Sequence, residues 1–281
     1  MSRYLLCTDL DRTLIPNGPS PLCPPAASLF RQLAAREELS LAYVTGRHRA
    51  LIEDAIAEFE LPCPDFAIAD VGASIYEVSA QGWRPWRMWE EHIATDWRGM
   101  NSEGLRKLLR GLPELQLQEK EKQAPFKLSF YVRLNADSDT LTAMIRQRLL
   151  YEGIRANLIS SVDELAGIGL LDVLPQSAGK LHAIRFLMKR HSFCLQNTIF
   201  AGDSGNDLDV LLSEIPAVLV ANAAPEIKTQ TAKTKPEALY IAKGGYLGMN
   251  GNYSAGILEG VAHFWPEADA WLREYKIHKD E

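Results

Sequence analysis

Two short apolar runs, far apart in the chain and each ending in acidic residues, restrict the fold more than any other feature. Tyr4-Leu5-Leu6-Cys7 leads into Asp9-Leu10-Asp11-Arg12-Thr13, and Thr198-Ile199-Phe200-Ala201 leads into Gly202-Asp203-Ser204-Gly205-Asn206-Asp207. Runs this apolar read as buried strands. Side chains alternate along a strand, so Asp9 and Asp11 are expected on one side of the first strand end. Open α/β sheets place their chemistry at the carboxyl ends of their strands. The two clusters therefore predict a single site assembled from distant parts of the sequence.

The rest of the chain predicts how the two runs are joined. Residues 3–8, 39–44 and 66–71 read as strands, with helical spacing over 26–37 and 48–60. Strands alternating with helices imply right-handed crossovers and a parallel sheet. Residues 74–78 alternate like a small hairpin arm. From about residue 82 the texture changes: Trp83, Trp86, Trp89 and Trp97 lead into a polar helix near 101–111. A half-exposed strand at 126–132, a helix at 139–151 and a strand at 156–160 follow, an α+β pattern. Parallel winding is expected to return at 170–174, followed by a helix at 180–191, a strand at 198–201, a helix at 207–213 and a strand at 217–220. The predicted division is a split core, 1–81 and 175–281, interrupted by an inserted unit, 82–174, with hinges near 81 and 175. Residues 228–237 read as polar and low in order, and Trp265, Trp271 and Tyr275 as a terminal helix covering the core.

Composition narrows the class. The 281 residues, 47% of them hydrophobic, can build one large domain or two modest ones. A net charge of −6 argues against a general nucleic-acid binder. No apolar stretch is long enough to span a bilayer and no signal-peptide pattern opens the chain, so neither a membrane nor a secretory setting is expected. Cys7, Cys23, Cys63 and Cys194 are scattered without CxxC spacing, and the six histidines form no HExxH pattern. The cysteines fit a reduced, cytoplasmic compartment, and zinc is not expected.

If Asp9, Asp11, Asp203 and Asp207 converge, each like-charged pair at ~4 Å costs on the order of 4 kcal/mol at an effective dielectric near 20. Such a cluster needs a cation or a bound proton, and hard oxygen ligands suit Mg²⁺. Thr45-Gly46-Arg47 ends the second strand, where a hydroxyl and exposed N–H groups can hold phosphate oxygens; it is also an ordinary N-cap turn. Lys180 follows Gly179 at a predicted helix start. A lysine in the first helical turn opposes the helix dipole, so it is either solvated or paired with negative groups.

These four stretches, in this order, resemble the haloacid dehalogenase-like phosphatase superfamily. Asp9-Leu10-Asp11-Arg12-Thr13-Leu14 is similar to its first motif, Thr45 to its second, Lys180 to its third and Gly202–Asp207 to its fourth. The resemblance implies a Rossmann-like parallel-sheet core with an inserted α+β cap of the C2 type. It implies Asp9 as nucleophile forming an aspartyl-phosphate and Asp11 as acid, then base. It further implies Mg²⁺ held by Asp9, Asp11 through its main-chain carbonyl, and Asp203, supported by Asp207, with Thr45 and Lys180 on the phosphoryl oxygens. The physical logic agrees: a carboxylate approaching a phosphate dianion is repelled unless positive charge offsets it.

Thr45 and Lys180 lie 135 positions apart, far more than the roughly 30 residues of a βαβ unit. An insertion there is what the sugar-phosphate branch of the superfamily carries. Residues 42–47, 71–76, 126–129, 172–176 and 255–259 are similar to the sucrose-phosphate phosphatase family and to the matching domain of sucrose-phosphate synthases. Similar sequences occur in mannosylfructose-phosphate phosphatases. Arg12 and Gly179 depart slightly from the pattern. The expected substrate is a small-molecule sugar phosphate, foremost sucrose 6-phosphate. A docking role beside a sucrose-phosphate synthase, or a bisphosphate-activated mutase, remains open. Lys127 and Ser129, two apart on a strand, either meet sugar hydroxyls or face solvent. Arg47 and His48 begin the helix after Thr45 and are candidates for the far sugar. Asn206 is expected to orient Asp203 or Lys180.

Overall fold

Apolar runs become strands and stripes at helical spacing become helices in the computed structural model, which describes residues 4–163, 166–234 and 236–280. In chain order the strands are β1 (Tyr4–Thr8), β2 (Leu39–Val44), β3 (Phe66–Ala69), β4 (Ser74–Ser79), β5 (Gly82–Pro85) and β6 (Gln116–Leu117). They continue with β7 (Leu128–Val132), β8 (Ala156–Asp163), β9 (Ile168–Pro175), β10 (Thr198–Gly202), β11 (Ala217–Leu219) and β12 (Leu239–Ile241). The first five helices are α1 (Pro24–Ala34), α2 (Arg49–Glu58), α3 (Arg87–Ala94), α4 (Ser102–Leu108) and α5 (Ser138–Tyr151). The rest are α6 (Lys180–His191), α7 (Leu208–Leu211), α8 (Pro225–Thr234), α9 (Ser254–Phe264) and α10 (Pro266–Asp280).

Eight strands form one sheet in the order β12-β11-β10-β1-β2-β3-β4-β5, parallel from β12 to β3 and antiparallel at β4 and β5. Winding runs outward from β1 in both directions, so the strand order reverses between β1 and β10. Asp9 and Asp203 follow those two strands directly, at the crevice where open α/β sheets bind ligands. One sheet face packs α1, α2, α9 and α10, the other α3, α6, α7 and α8. Alternation along β1 supplies both layers: Leu6 faces the first, Leu5 and Cys7 the second. Each such fully buried Leu contributes roughly 1.5–3 kcal/mol. Among the described residues no helix is long and apolar enough to cross a membrane.

The second sheet, β6-β7-β9-β8, is antiparallel and has its own core around Trp97, Leu128, Phe130, Ile145 and Val173. Two features differ from the sequence reading. Residues 170–174 do not resume the parallel winding; they are the middle of β9, paired antiparallel with both β7 and β8. The run looks like a parallel strand because both its faces are covered, Val173 by the small core and Leu174 by the large one. The change of texture near residue 82 also precedes the change of sheet. Residues 80 and 81 form the tip of the β4–β5 hairpin, and α3 still packs Trp89 and Ile93 into the large core.

The tryptophans pack this junction: Trp89 Nε1 donates to Gly72 O at 3.0 Å, and Trp97 is buried in the small core. Residues 228–234, expected to be low in order, belong to α8, which buries Ile227 and Thr231; Lys235 lies outside the described residues. Trp265, Trp271 and Tyr275 do cover the core, from the end of α9 through α10.

Candidate active site

Asp9, Asp203 and Asp207 converge at the β1–β10 crevice, their ligand atoms within 4.8 Å of one another and all three buried. Lys180 is driven into the same spot. Its Nζ lies 3.1 Å from Asp9 Oδ1 and 2.7 Å from Asp207 Oδ1, and it donates to Asn206 Oδ1 at 3.1 Å. That resolves why a lysine occupies the first residue of α6: two carboxylates, with the Asn206 carbonyl oxygen beside them, outweigh the unfavourable dipole. Burial opposes the charge on Lys180, but Asp207 and Asp9 hold its pKa above the ordinary value.

Backbone geometry fixes the acidic set. Asp207 Oδ2 accepts from the Asp203 and Ser204 N–H groups and the Ser204 hydroxyl, each at 3.1 Å, closing the turn after β10. A Cβ on Gly202 would lie 2.7 Å from the Asp207 carboxyl, so glycine is required there. Thr13 Oγ1 donates to Asp203 Oδ1 at 2.9 Å. Burial raises the pKa of Asp9, and Asp207 and Asp203 add to the effect against Lys180. Burial likewise pushes Asp203 up to about 7, with Asp207 adding and Thr13 opposing.

This donor set fits Mg²⁺. Clustered hard oxygens with too little positive charge are what a small divalent cation relieves. Both Asp207 oxygens are already engaged, which leaves Asp9 and Asp203 as the better donors.

Asp11 departs from expectation. β1 ends at Thr8 and Arg12 adopts a left-handed φ of 58°, so strand alternation does not extend to Asp11. Its carboxylate leaves the acidic cluster and is gripped by Arg47, with Nε to Oδ2 at 2.9 Å and Nη2 to Oδ1 at 2.7 Å, while Asn17 Nδ2 donates to Oδ1 at 2.7 Å. Against the cost of burial, Arg47 and Asn17 hold Asp11 below the usual carboxylate range. Arg47 is thus committed to Asp11 rather than free for a sugar.

Thr45 is buried, and its carbonyl accepts from Val71 N at 3.1 Å. The register Thr8↔Tyr43 places the Thr45-Gly46 turn beside Asp9 at the ends of neighbouring strands. His48 is the N-cap residue of α2 and makes no capping hydrogen bond.

Lys127 and Ser129 are both buried, which removes the solvent-facing alternative. Ser129 Oγ donates to Asp172 on β9, its register partner, and Lys127 Nζ lies 3.8 Å from Asp70 Oδ1. Neither pair reaches the acidic cluster directly. Sequence reasoning missed Asp70, Asp172, Thr13 and Asn17. Asp172 lies inside a stretch that already resembled the family, whereas Asp70 carried no signal of its own.

The comparisons with known proteins agree with this geometry. Residues 2–265 match the family described as sucrose-6F-phosphate phosphohydrolase. The chain is 52% identical over 274 residues to a putative HAD-like hydrolase of Nitrosococcus oceani, covering 96% of this chain and 74% of that protein. It is 30% identical to sucrose-phosphatase 1 of Nicotiana tabacum, covering 94% of this chain but only 59% of the tobacco protein. The solved sucrose-phosphatase of Synechocystis, in complex with sucrose and phosphate, superimposes with a TM-score of 0.74 at 26% identity, covering 94% of this chain and 98% of that one. The chain belongs to the sucrose-6F-phosphate phosphohydrolase family, a family of phosphoric monoester hydrolases.

Proposed function

We propose that this protein is a Mg²⁺-dependent phosphatase that hydrolyses a disaccharide phosphate, foremost sucrose 6-phosphate, to the free disaccharide and phosphate. The observation that carries this reading is the convergence of Asp9, Lys180, Asp203 and Asp207 at the carboxyl ends of β1 and β10. A site with every charged member present favours catalysis over a purely docking role beside a synthase. The tobacco and Synechocystis relatives, named for sucrose phosphate, support the substrate class.

Asp9 attacks phosphorus and forms an aspartyl-phosphate, and the sugar alkoxide leaves with a proton from Asp11. Asp11 then takes a proton from water as the water attacks the same phosphorus, releasing phosphate and restoring Asp9. Lys180, aimed by Asp207 and Asn206, and the Thr45-Gly46 turn hold the phosphoryl oxygens. Asp9 and Asp203 would hold Mg²⁺, which when bound would supply positive charge to offset repulsion between nucleophile and phosphate. The Arg47 fork keeps Asp11 in its ionised form, suited to the second step. For the first step Asp11 must carry a proton when the sugar leaves. The four-stranded sheet serves as the cap that covers the substrate and excludes water.

Phosphate release from a panel of disaccharide phosphates, with Mg²⁺ and with EDTA, tests the proposal. Turnover that requires Mg²⁺ and favours sucrose 6-phosphate supports it. Turnover of mannosylfructose phosphate alone would move the substrate within the class, and no turnover of any disaccharide phosphate would overturn it.

A further inference from the structure

Two residues with disfavoured backbone geometry, near opposite ends of the chain, share one side-chain amide. Arg12 has a φ of 58°, and Tyr253 a φ of 51° with a ψ of −132°. Such conformations in non-glycine residues persist where the surrounding structure enforces them, and they gather at functional sites. Asn222, in the segment after β11, reaches both. Its Nδ2 donates to Arg12 O at 2.6 Å, and its Oδ1 accepts from Tyr253 N at 2.8 Å. Arg12 is held on its other side as well: its N–H donates to Asn17 Oδ1 at 2.8 Å, while Asn17 Nδ2 donates to Asp11 Oδ1 at 2.7 Å. A continuous path of hydrogen bonds therefore runs from Tyr253 through Asn222, Arg12 and Asn17 to Asp11.

The geometry points to Asn222 as a positioning residue: by holding the Arg12 carbonyl it fixes the direction of the Asp11 carboxyl. Asp11 is the group assigned above to give its proton to the leaving sugar oxygen while the P–O bond breaks and the bond from Asp9 to phosphorus forms. An acid does this only within hydrogen-bond reach of that oxygen, and a misplacement of about 1 Å is enough to cost on the order of 10²-fold. Arg12 is the point where the chain turns after β1, so both of its peptide groups must be held for Asp11 to keep one direction.

The groups on either side are anchored without Asn222. Asp9 N donates to Ala201 O at 2.9 Å, and Leu10 O accepts from the N–H groups of Thr13, Leu14 and Ile15 at 3.2, 3.0 and 2.7 Å. The nucleophile and the far limb of the turn thus keep their places, and the Asp11–Arg12 limb is the one left to swing. The loop ahead of α1 has stitches of its own. Tyr253 Oη donates to Ser20 O at 3.3 Å, Asn250 Nδ2 to Pro21 O at 3.0 Å and Asn252 Nδ2 to Pro21 O at 3.1 Å. These stitches hold residues 20 and 21, not Arg12. The bond from Asn222 to Arg12 O lies at the surface, where water replaces a lost donor. Truncating Asn222 therefore alters the aim of Asp11 more than the fold.

This inference rests on the phosphatase reading above, and the leaving group tests it. A sugar alkoxide must be protonated as it departs, whereas p-nitrophenolate leaves without a proton. The ratio kcat/KM covers only the steps up to that departure, ahead of the attack by water, so it isolates the acid role of Asp11. Asn222→Ala is expected to lower kcat/KM for sucrose 6-phosphate about 10- to 100-fold and that for p-nitrophenyl phosphate less than about 3-fold. Tyr253→Phe, which removes only the stitch to Ser20, is expected to change both by less than about 3-fold. Circular dichroism checks that each variant is folded. Equal losses on the two substrates in Asn222→Ala, or the same discrimination in Tyr253→Phe, overturn the assignment and leave Asn222 a structural tie. If wild type hydrolyses p-nitrophenyl phosphate but not sucrose 6-phosphate, the disaccharide reading fails; glycerol 3-phosphate, whose leaving group is also an alkoxide, then replaces it, and the same two outcomes decide on Asn222. Wild type that releases phosphate from none of the three overturns both.

Discussion

The acidic centre at the end of β1 and the polar cluster between the sheets are built from the same residue types to opposite ends. Around Asp9, charges answer one another: Lys180 joins Asp9 to Asp207, and main-chain N–H groups cap the remaining Asp207 oxygen. Around Asp70, one carboxylate oxygen and the Lys127 ammonium group make no hydrogen bond among the described residues. The first centre is organised in advance by the protein's own opposite charges and main-chain donors, whereas the second leaves polar capacity unused.

Substitutions in the first region sharpen that contrast most. Asp9→Asn is expected to lower kcat by on the order of 10⁴-fold with the fold retained, measured as phosphate release alongside circular dichroism; residual activity within tenfold of wild type would break the nucleophile assignment. Lys180→Met removes the cation shared by two buried carboxylates. It is expected to cost roughly 3–5 kcal/mol of stability in urea unfolding, in addition to the catalytic loss. A loss below ~1 kcal/mol would mean that the acidic centre does not depend on its lysine.

Gly72→Ala probes the joint between the regions. Its Cβ would lie 2.3 Å from the Gly179 carbonyl carbon, at a φ of +94°, so the variant is expected to lose about 2–4 kcal/mol in thermal unfolding. The smallest effect belongs to Arg47→Gln, at about 1 kcal/mol or less near neutral pH, because Asp11 is 42% exposed. Arg47 lowers the folded-state pKa of Asp11, so its contribution is full above the ordinary carboxylate pKa and disappears as pH falls through the depressed folded value. Urea midpoints of wild type and variant that stay equally far apart from pH 7 down to pH 2 would contradict this pairing.

What the sequence revealed follows from locality. Asp9 and Asp203 sit directly behind apolar strands and Lys180 opens an amphipathic helix, so each was legible from a few neighbouring residues. The direction of Asp11 was not, because it depends on the chain turning at Arg12 immediately after a strand that ends at Thr8. Residues 170–174 read as parallel winding because a central strand covered on both faces has the same apolar run in either kind of sheet. The Asp70–Lys127 meeting brings together two loops with no shared periodicity, and only the tertiary fold reveals it. Residues 80 and 81 mark a change of composition, but Trp89 and Ile93 carry the large core past it.

β9 also sets a mechanical limit. After Pro175 only Gln176, Ser177, Ala178 and Gly179 precede Lys180, a leash of about 17 Å when fully stretched. It is already curled, with Ala178 N bonded to Pro175 O at 3.0 Å and Ser177 N pinned to the Asp96 carboxylate. Asp96 also pairs with Arg155, just ahead of β8, so both ends of the β8–β9 hairpin are moored at one post. An excursion of the small sheet longer than that leash would drag Lys180 from between Asp9 and Asp207. If the small sheet moves as the proposed cap, the length of its stroke is set by the same lysine that is proposed to hold the phosphoryl group.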